Sequence, residues 1–269
     1  LSRISACLKA LSKEGRKALI PYIVAGDPHP VSTVPMMHEL VQQGADIIEL
    51  GIPFSDPMAE GPVIQLAHER ALQHHVSLRD ALAMVKAFRQ QDSSTPVVLM
   101  GYANPVFKMG YNNFAAAALD AGVDGLLTVD MPPEEAVELN SALKAVNIDS
   151  IFLIAPTTSA QRIKHIASLA TGYLYYVSLK GVTGAANLDI ESVREKLQLI
   201  KSITSLPVAV GFGIKDPQSA RAISQLAEGV VVGSALVSTV AELADKTSHH
   251  VAGSALQLIG DMRRAMDAV

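Results

Sequence analysis

The stretch ADIIELGIPFSDPMAEGP, residues 45–62, decides the reading of the chain. It opens on a short apolar run, DIIEL (46–50), and short, near-continuous apolar runs are the mark of strands buried on both faces. A turn-rich segment of Gly, Pro, Ser and Asp follows. Four carboxylates, Asp46, Glu49, Asp56 and Glu60, crowd the junction. An acidic group at the end of a buried strand is costly unless it is paired or used. The fold therefore has to explain where these carboxylates point.

Seven further runs of the same kind flank this one: ALIPYIV (18–24), PVVLMGY (96–102), DGLLTV (124–129), DSIFLI (149–154), YLYYVS (173–178), PVAVGF (207–212) and GVVVG (229–233). Helical patterns lie between them, as in VSTVPMMHELVQQGA, YNNFAAAALDAG, PEEAVELNSALKAV and DPQSARAISQLAEG. Gly44, Gly122 and Gly229 follow such patterns, where a C-terminal glycine is favoured. Strands alternating with helices imply parallel pairing, and eight units imply a closed (β/α)8 (TIM) barrel. Extra helices are expected at 2–14, at 62–73 and 77–91 after the second strand, and at 249–267. The alternative is an open doubly wound sheet, against which stands the lack of G-x-G-x-x-G after the first strand. No linker or low-complexity tract divides the chain, so residues 1–269 are read as one barrel domain.

Composition narrows the function. Twenty-two basic against twenty-six acidic residues leave a net charge of −4, which attracts neither nucleic acid nor an anionic membrane. Cys7 is the single cysteine, so no intramolecular disulfide forms and a reducing, cytoplasmic setting is expected. The first seventeen residues carry charges throughout and do not read as a signal peptide, and no run suits a membrane span. With one cysteine and no H-E-x-x-H, no metal site is expected. The pairs His74–His75 and His249–His250 read as solvated helix ends.

In a barrel the active site lies at the C-terminal ends of the strands. Those exits read AGDP (25–28), Glu49, GYANP (101–105), VDMPPEE (129–135), APTTS (155–159), SLKGVTGA (178–185), GFGI (211–214) and GSAL (233–236). Glycine lets backbone N–H groups approach an anion closely, and the loops after strands seven and eight of barrels commonly hold phosphate. Gly184, Gly213, Gly233 and Ser234 are therefore expected to bind one. Glu49 should point into the barrel mouth, where burial raises its pKa; it is either a proton shuttle or a carboxylate paired with a loop N–H. Glu60, taken by itself, reads as a solvated loop acid, and Asp56 as a turn former bonding its own backbone. Lys180 reads as a solvated loop lysine.

At this point the chain is identified as a member of a family. It closely resembles the α subunit of tryptophan synthase along essentially its whole length. The resemblance is carried by LIPYIVAGDP (19–28), IELGIPFSDPMAEGPVIQ (48–65), VLMGYANPVF (98–107), GVDGLLTVDMPPEE (122–135), LIAPTTS (153–159), YYVSLKGVTGA (175–185), VAVGFGI (208–214) and GVVVGSALV (229–237). It implies a cofactor-free lyase that cleaves indole-3-glycerol phosphate to indole and glyceraldehyde 3-phosphate by a retro-aldol step. Glu49 matches the family's acid/base. Glu60 stands where the family carries an aspartate that steadies the indole N–H, so the charge is kept on a side chain one methylene longer. Tyr175, Thr183 and Phe212 match substrate-pocket positions, with Thr183 orienting the acid beside the indole. Asp130, Pro132, Asn104 and the DP elements would line the face that meets the β subunit. The implied assembly is an αββα heterotetramer in which the β subunit carries pyridoxal phosphate and receives indole through a tunnel. Other readings are a stand-alone indole-producing lyase, a different phosphate-binding barrel, and a chain whose Glu60 impairs cleavage and leaves it an activator of β.

Overall fold

The computed structural model describes residues 2–178, 189–211, 213–243 and 253–268. Eight parallel strands follow one another in chain order: β1 (Ala18–Val24), β2 (Ile48–Gly51), β3 (Val97–Gly101), β4 (Gly125–Thr128), β5 (Asp149–Ile154), β6 (Leu174–Val177), β7 (Val208–Gly211) and β8 (Gly229–Val232). β1 is hydrogen-bonded to β2 on one side and to β8 on the other, so the sheet closes into a barrel. Closure excludes the open doubly wound sheet. Every strand falls within a residue or two of an apolar run.

The expected helices form as Pro30–Gln42, Tyr111–Ala121, Val137–Ala145 and Pro217–Ser224, and the additional ones as Arg3–Lys13, Pro62–Gln73, Leu78–Phe88 and Gly253–Asp267. Among the described residues no helix is long and apolar enough to cross a membrane. Gly44 and Gly122 do close helices, with φ of 100° and 81°. Gly229 does not: the helix before it ends at Ser224, and Gly229 opens β8. A Cβ there would lie 3.0 Å from the Ala209 Cβ and 3.1 Å from the Ile20 Cδ1, so crowding inside the barrel, not a helix end, explains this glycine. GYANP (101–105) is the exit of β3. Its chain turns straight into the helix Ala103–Met109, and the Ala103 N–H at that helix start donates to the Asp130 carboxylate at 2.8 Å.

Strand alternation sorts the core into two layers. Outward residues such as Leu19, Ile23, Ile48 and Leu50 pack against the helices. Inward residues such as Ile20, Val98, Leu127, Ile151 and Val231 fill the barrel, where Ile4, Leu8 and Leu11 of Arg3–Lys13 close its floor. Each such side chain stabilises the fold by about 1.5–3 kcal/mol. The floor helix starts at Ser2, whose hydroxyl accepts from the Ser5 N–H at 3.2 Å and donates to Asp149 on β5 at 2.5 Å. With the floor sealed, the opposite end is where the interior opens.

Candidate active site

That open end carries an apolar cavity lined by Tyr22, Ile64, Met100, Leu153, Tyr175 and Val231 among others. Glu60, Gly213, Gly233 and Ser234 also line it. Residues of the loops after β7 and β8 thus line the same cavity. Gly213 has a φ of 75°, a conformation glycine adopts freely, and Ser234 is the first residue of the helix Ser234–Leu243. Thr183, Gly184 and Phe212, together with Lys180, lie outside the described residues.

Glu49 sits one layer down. β2 alternation turns it inward, in register with Tyr22 of β1, and it is fully buried. Oε1 accepts from the Tyr173 hydroxyl at 2.6 Å, while Oε2 has no hydrogen-bond partner among the described residues. Burial pushes its pKa up to about 7, with the Tyr173 bond pulling partly the other way. A carboxyl poised there both gives and takes a proton near neutral pH. Among the described residues its one hydrogen-bond partner is the Tyr173 hydroxyl, and no loop N–H is paired with it.

Glu60 is not a solvated loop acid. It is 9% exposed and faces the cavity. The Tyr102 hydroxyl donates to its Oε2 and itself accepts from the Ala59 N–H at 2.9 Å. The Tyr102 ring is stacked on Phe54, with centroids 4.7 Å apart. Burial raises the Glu60 pKa, and the Tyr102 bond offsets part of that. The Glu60 carboxylate is thus held by a tyrosine just past the end of β3.

The other acids do structural work. Asp46 accepts from the Leu19 N–H at 2.8 Å and pairs with Arg263 at 3.0 Å at the entrance to β2. Asp56 accepts from the Ser55 hydroxyl at 2.6 Å, and its backbone carbonyl accepts from the Met58 N–H at 2.8 Å, which shapes the turn. Asp27 of AGDP holds Arg70 through two bonds of 2.6 and 3.0 Å, tying the β1 exit to Pro62–Gln73. His74 ends the helix Pro62–Gln73 beside the His29 ring, and His249 and His250 lie outside the described residues. Among the described residues no group of three or more His, Cys, Asp or Glu is placed to hold a metal.

Four side chains of this site escaped the sequence reading: Tyr22, His68, Tyr102 and Tyr173. Two of them carried a signal. Tyr22 shares the inward phase of Ala18 and Ile20, and Tyr173 precedes Tyr175 by two residues, hence on the same face.

A closed (β/α)8 barrel with one desolvated carboxylate facing an apolar cavity, and a second buried in register with a tyrosine that lines it, is the framework of a barrel enzyme. Comparison with known proteins specifies which. The family model described as tryptophan synthase alpha chain matches residues 8–267. The chain is 59% identical over 269 residues to the tryptophan synthase alpha chain of Thioalkalivibrio sulfidiphilus, covering 99% of this chain and 100% of that one. It is 56% identical over 270 residues to that of Marinobacter nauticus, covering 100% and 99%. The crystal structure of tryptophan synthase subunit alpha from Legionella pneumophila str. Paris superposes with a TM-score of 0.93 at 46% identity, all of both chains being covered. The chain belongs to the tryptophan synthase alpha chain family.

Proposed function

We propose that Glu49 and Glu60 are the two catalytic carboxylates of a carbon–carbon lyase in this cavity, Glu49 as acid and base and Glu60 as the stabiliser of developing charge. The activity is the family's: retro-aldol cleavage of indole-3-glycerol phosphate to indole and glyceraldehyde 3-phosphate, with indole passed on for tryptophan synthesis. Cleavage needs a proton delivered to indole C3 and a proton taken from the glycerol hydroxyl on the carbon bonded to it. Glu49 serves both transfers in turn, through the oxygen that has no partner. Glu60, kept in place by Tyr102, accepts the indole N–H and steadies the positive charge that develops on the ring. Tyr175, Thr183 and Phe212 pack around the substrate. Backbone N–H groups at Gly184, Gly213, Gly233 and Ser234 hold the phosphate at the helix N-terminus.

One observation carries this reading: the buried Glu49 carboxylate, in register with the cavity-lining Tyr22, has an oxygen with no partner among the described residues. Proton transfer by these groups suffices for the reaction, so we propose no cofactor for this chain. Its partner is the pyridoxal-phosphate-bearing β subunit, in an α2β2 assembly, met through the mouth-side face that includes Asp130, Pro132 and Asn104. Exposed Met58 and Phe107 supply apolar area in the same connections. A single barrel domain over 1–269 and a cytoplasmic setting complete the proposal.

The test is indole release from indole-3-glycerol phosphate by the purified chain, with and without β, comparing Glu60 with Glu60→Asp and Glu60→Gln. Activity with Glu60, its loss with Gln and acceleration by β are expected. If Glu60 is as inactive as Gln and Asp restores turnover, the extra methylene is not accommodated and Glu60 loses its role.

A further inference from the structure

Tyr22 stands close to both carboxylates. Its ring lines the cavity, it is in register with Glu49, and its hydroxyl feels the charge of both Glu60 and Glu49. The hydroxyl occupies the space over Gly51 where any other residue would place a Cβ; an added Cβ there would collide with it. Inward-facing Gly51, two residues beyond Glu49, therefore leaves room for a polar group.

The proton on that hydroxyl has a defined direction. His68, 1% exposed on Pro62–Gln73, accepts the Phe54 N–H at its Nδ1, at 3.0 Å. Burial pushes the imidazole pKa down to about 4, so the ring is neutral and its one N–H is at Nε2. Nε2 faces the Tyr22 oxygen at 3.4 Å, a long hydrogen bond in which His68 donates. Tyr22 accepts there and keeps its own proton to donate, with no other partner among the described residues. His68 thus turns the phenol into an oriented donor.

We propose that Tyr22, oriented by His68, donates its phenol O–H to the glycerol hydroxyl oxygen that becomes the aldehyde carbonyl as the carbon–carbon bond breaks. This rests on the roles given to Glu49 and Glu60: a substrate whose indole N–H meets Glu60 and whose reacting carbons lie over Glu49 places that oxygen between them. In the step, Glu49 removes the hydroxyl proton and the O–H electron pair becomes the new C=O π bond. The pair of the breaking C–C bond passes to the protonated indolenine ring and regenerates indole. Tyr22 neither gains nor loses a proton; it stabilises the negative charge that develops on the oxygen.

The experiment is steady-state cleavage by Tyr22→Phe, His68→Asn and the double variant. The binding probe is a phosphate monoester carrying indole on an unsubstituted three-carbon chain, which lacks the glycerol hydroxyls. Tyr22→Phe should lower kcat about 10- to 100-fold with KM within about threefold, and leave probe affinity unchanged. His68→Asn should lower kcat about tenfold and add little in the Tyr22→Phe background, because it acts through the phenol. Unchanged kcat in folded Tyr22→Phe, equal loss of probe affinity, or a His68 effect that persists without the phenol overturns the proposal. If Tyr22→Phe does not fold, His68→Asn decides by the same kcat and probe readings. Glu49→Gln and Glu60→Gln, run alongside, separate the two levels. Were they fully active, the acid–base assignment itself would fall; were they inactive while Tyr22→Phe keeps full kcat, only the role of Tyr22 would.

Discussion

Glu49→Gln gives the sharpest thermodynamic test of the buried carboxyl, because its effect on stability changes with pH in a calculable way. The ordinary value for this carboxyl is 4.5 and burial pushes it up to about 7. The folded chain therefore holds the proton more tightly than the unfolded chain does. Stability contributed by that proton is fully present below pH 4.5 and is lost as pH rises to about 7. At about 1.4 kcal/mol per pH unit, the full loss comes to about 3 kcal/mol. Glutamine has nearly the same shape and never ionises, so it escapes this loss. Urea unfolding of both proteins at pH 5 and pH 8 isolates the effect, since every other titrating group is common to the two. Relative to the parent chain, Glu49→Gln should gain about 2–3 kcal/mol between the two pH values. With a urea m-value of about 3 kcal/mol/M, the midpoints separate by about 0.8 M more at pH 8 than at pH 5. The same variant should not release indole. A midpoint gap that does not change with pH would refute the raised pKa, and with it the reason for assigning proton shuttling to Glu49.

Two further perturbations bear on the site and its support. Tyr173→Phe removes the hydrogen bond to Oε1 of Glu49, which favours the ionised form. The Glu49 pKa should rise by about another pH unit, read from carbon-13 NMR of its side-chain carboxyl; no rise would mean that the bond exerts no such pull. Ile4→Ala opens a cavity in the barrel floor, at a residue with 0% exposure, and should cost about 3–4 kcal/mol in urea unfolding. Its kcat should stay near the parent's, because the floor lies at the opposite end from the cavity.

Much of this was legible because the period of the apolar runs is a local property. ALIPYIV and DSIFLI correspond to β1 and β5 residue for residue, and the helix expected over 62–73 forms as Pro62–Gln73. The glycines after β7 and β8 were legible for the same reason. Glu60 was not, because the residues around it say only that it stands in a loop. Its burial comes from Tyr102, forty-two positions further along, which arrives at the end of β3. Gly229 misled because a glycine after a helical pattern looks alike in sequence whether it ends the helix or makes room inside a barrel.

The sequence by itself determined that this chain alternates strands and helices, that eight strands suffice for a barrel, and that Glu49 belongs to the second strand, although it stands inside β2, second of its four residues, and not at the exit. Those features depend on neighbours in the chain: side-chain period, caps and turns. Only the tertiary structure decided which groups share the mouth of that barrel. Closing β1 onto β8 and packing Pro62–Gln73 over the top brings together Tyr22, His68, Glu49 and Tyr173, of which the hydrogen-bonded pair Glu49 and Tyr173 lie 124 positions apart. The pKa of Glu49, the placement of Glu60 and the direction of the Tyr22 proton follow from that convergence. Desolvation and hydrogen bonding act through space and leave no periodic trace along the chain.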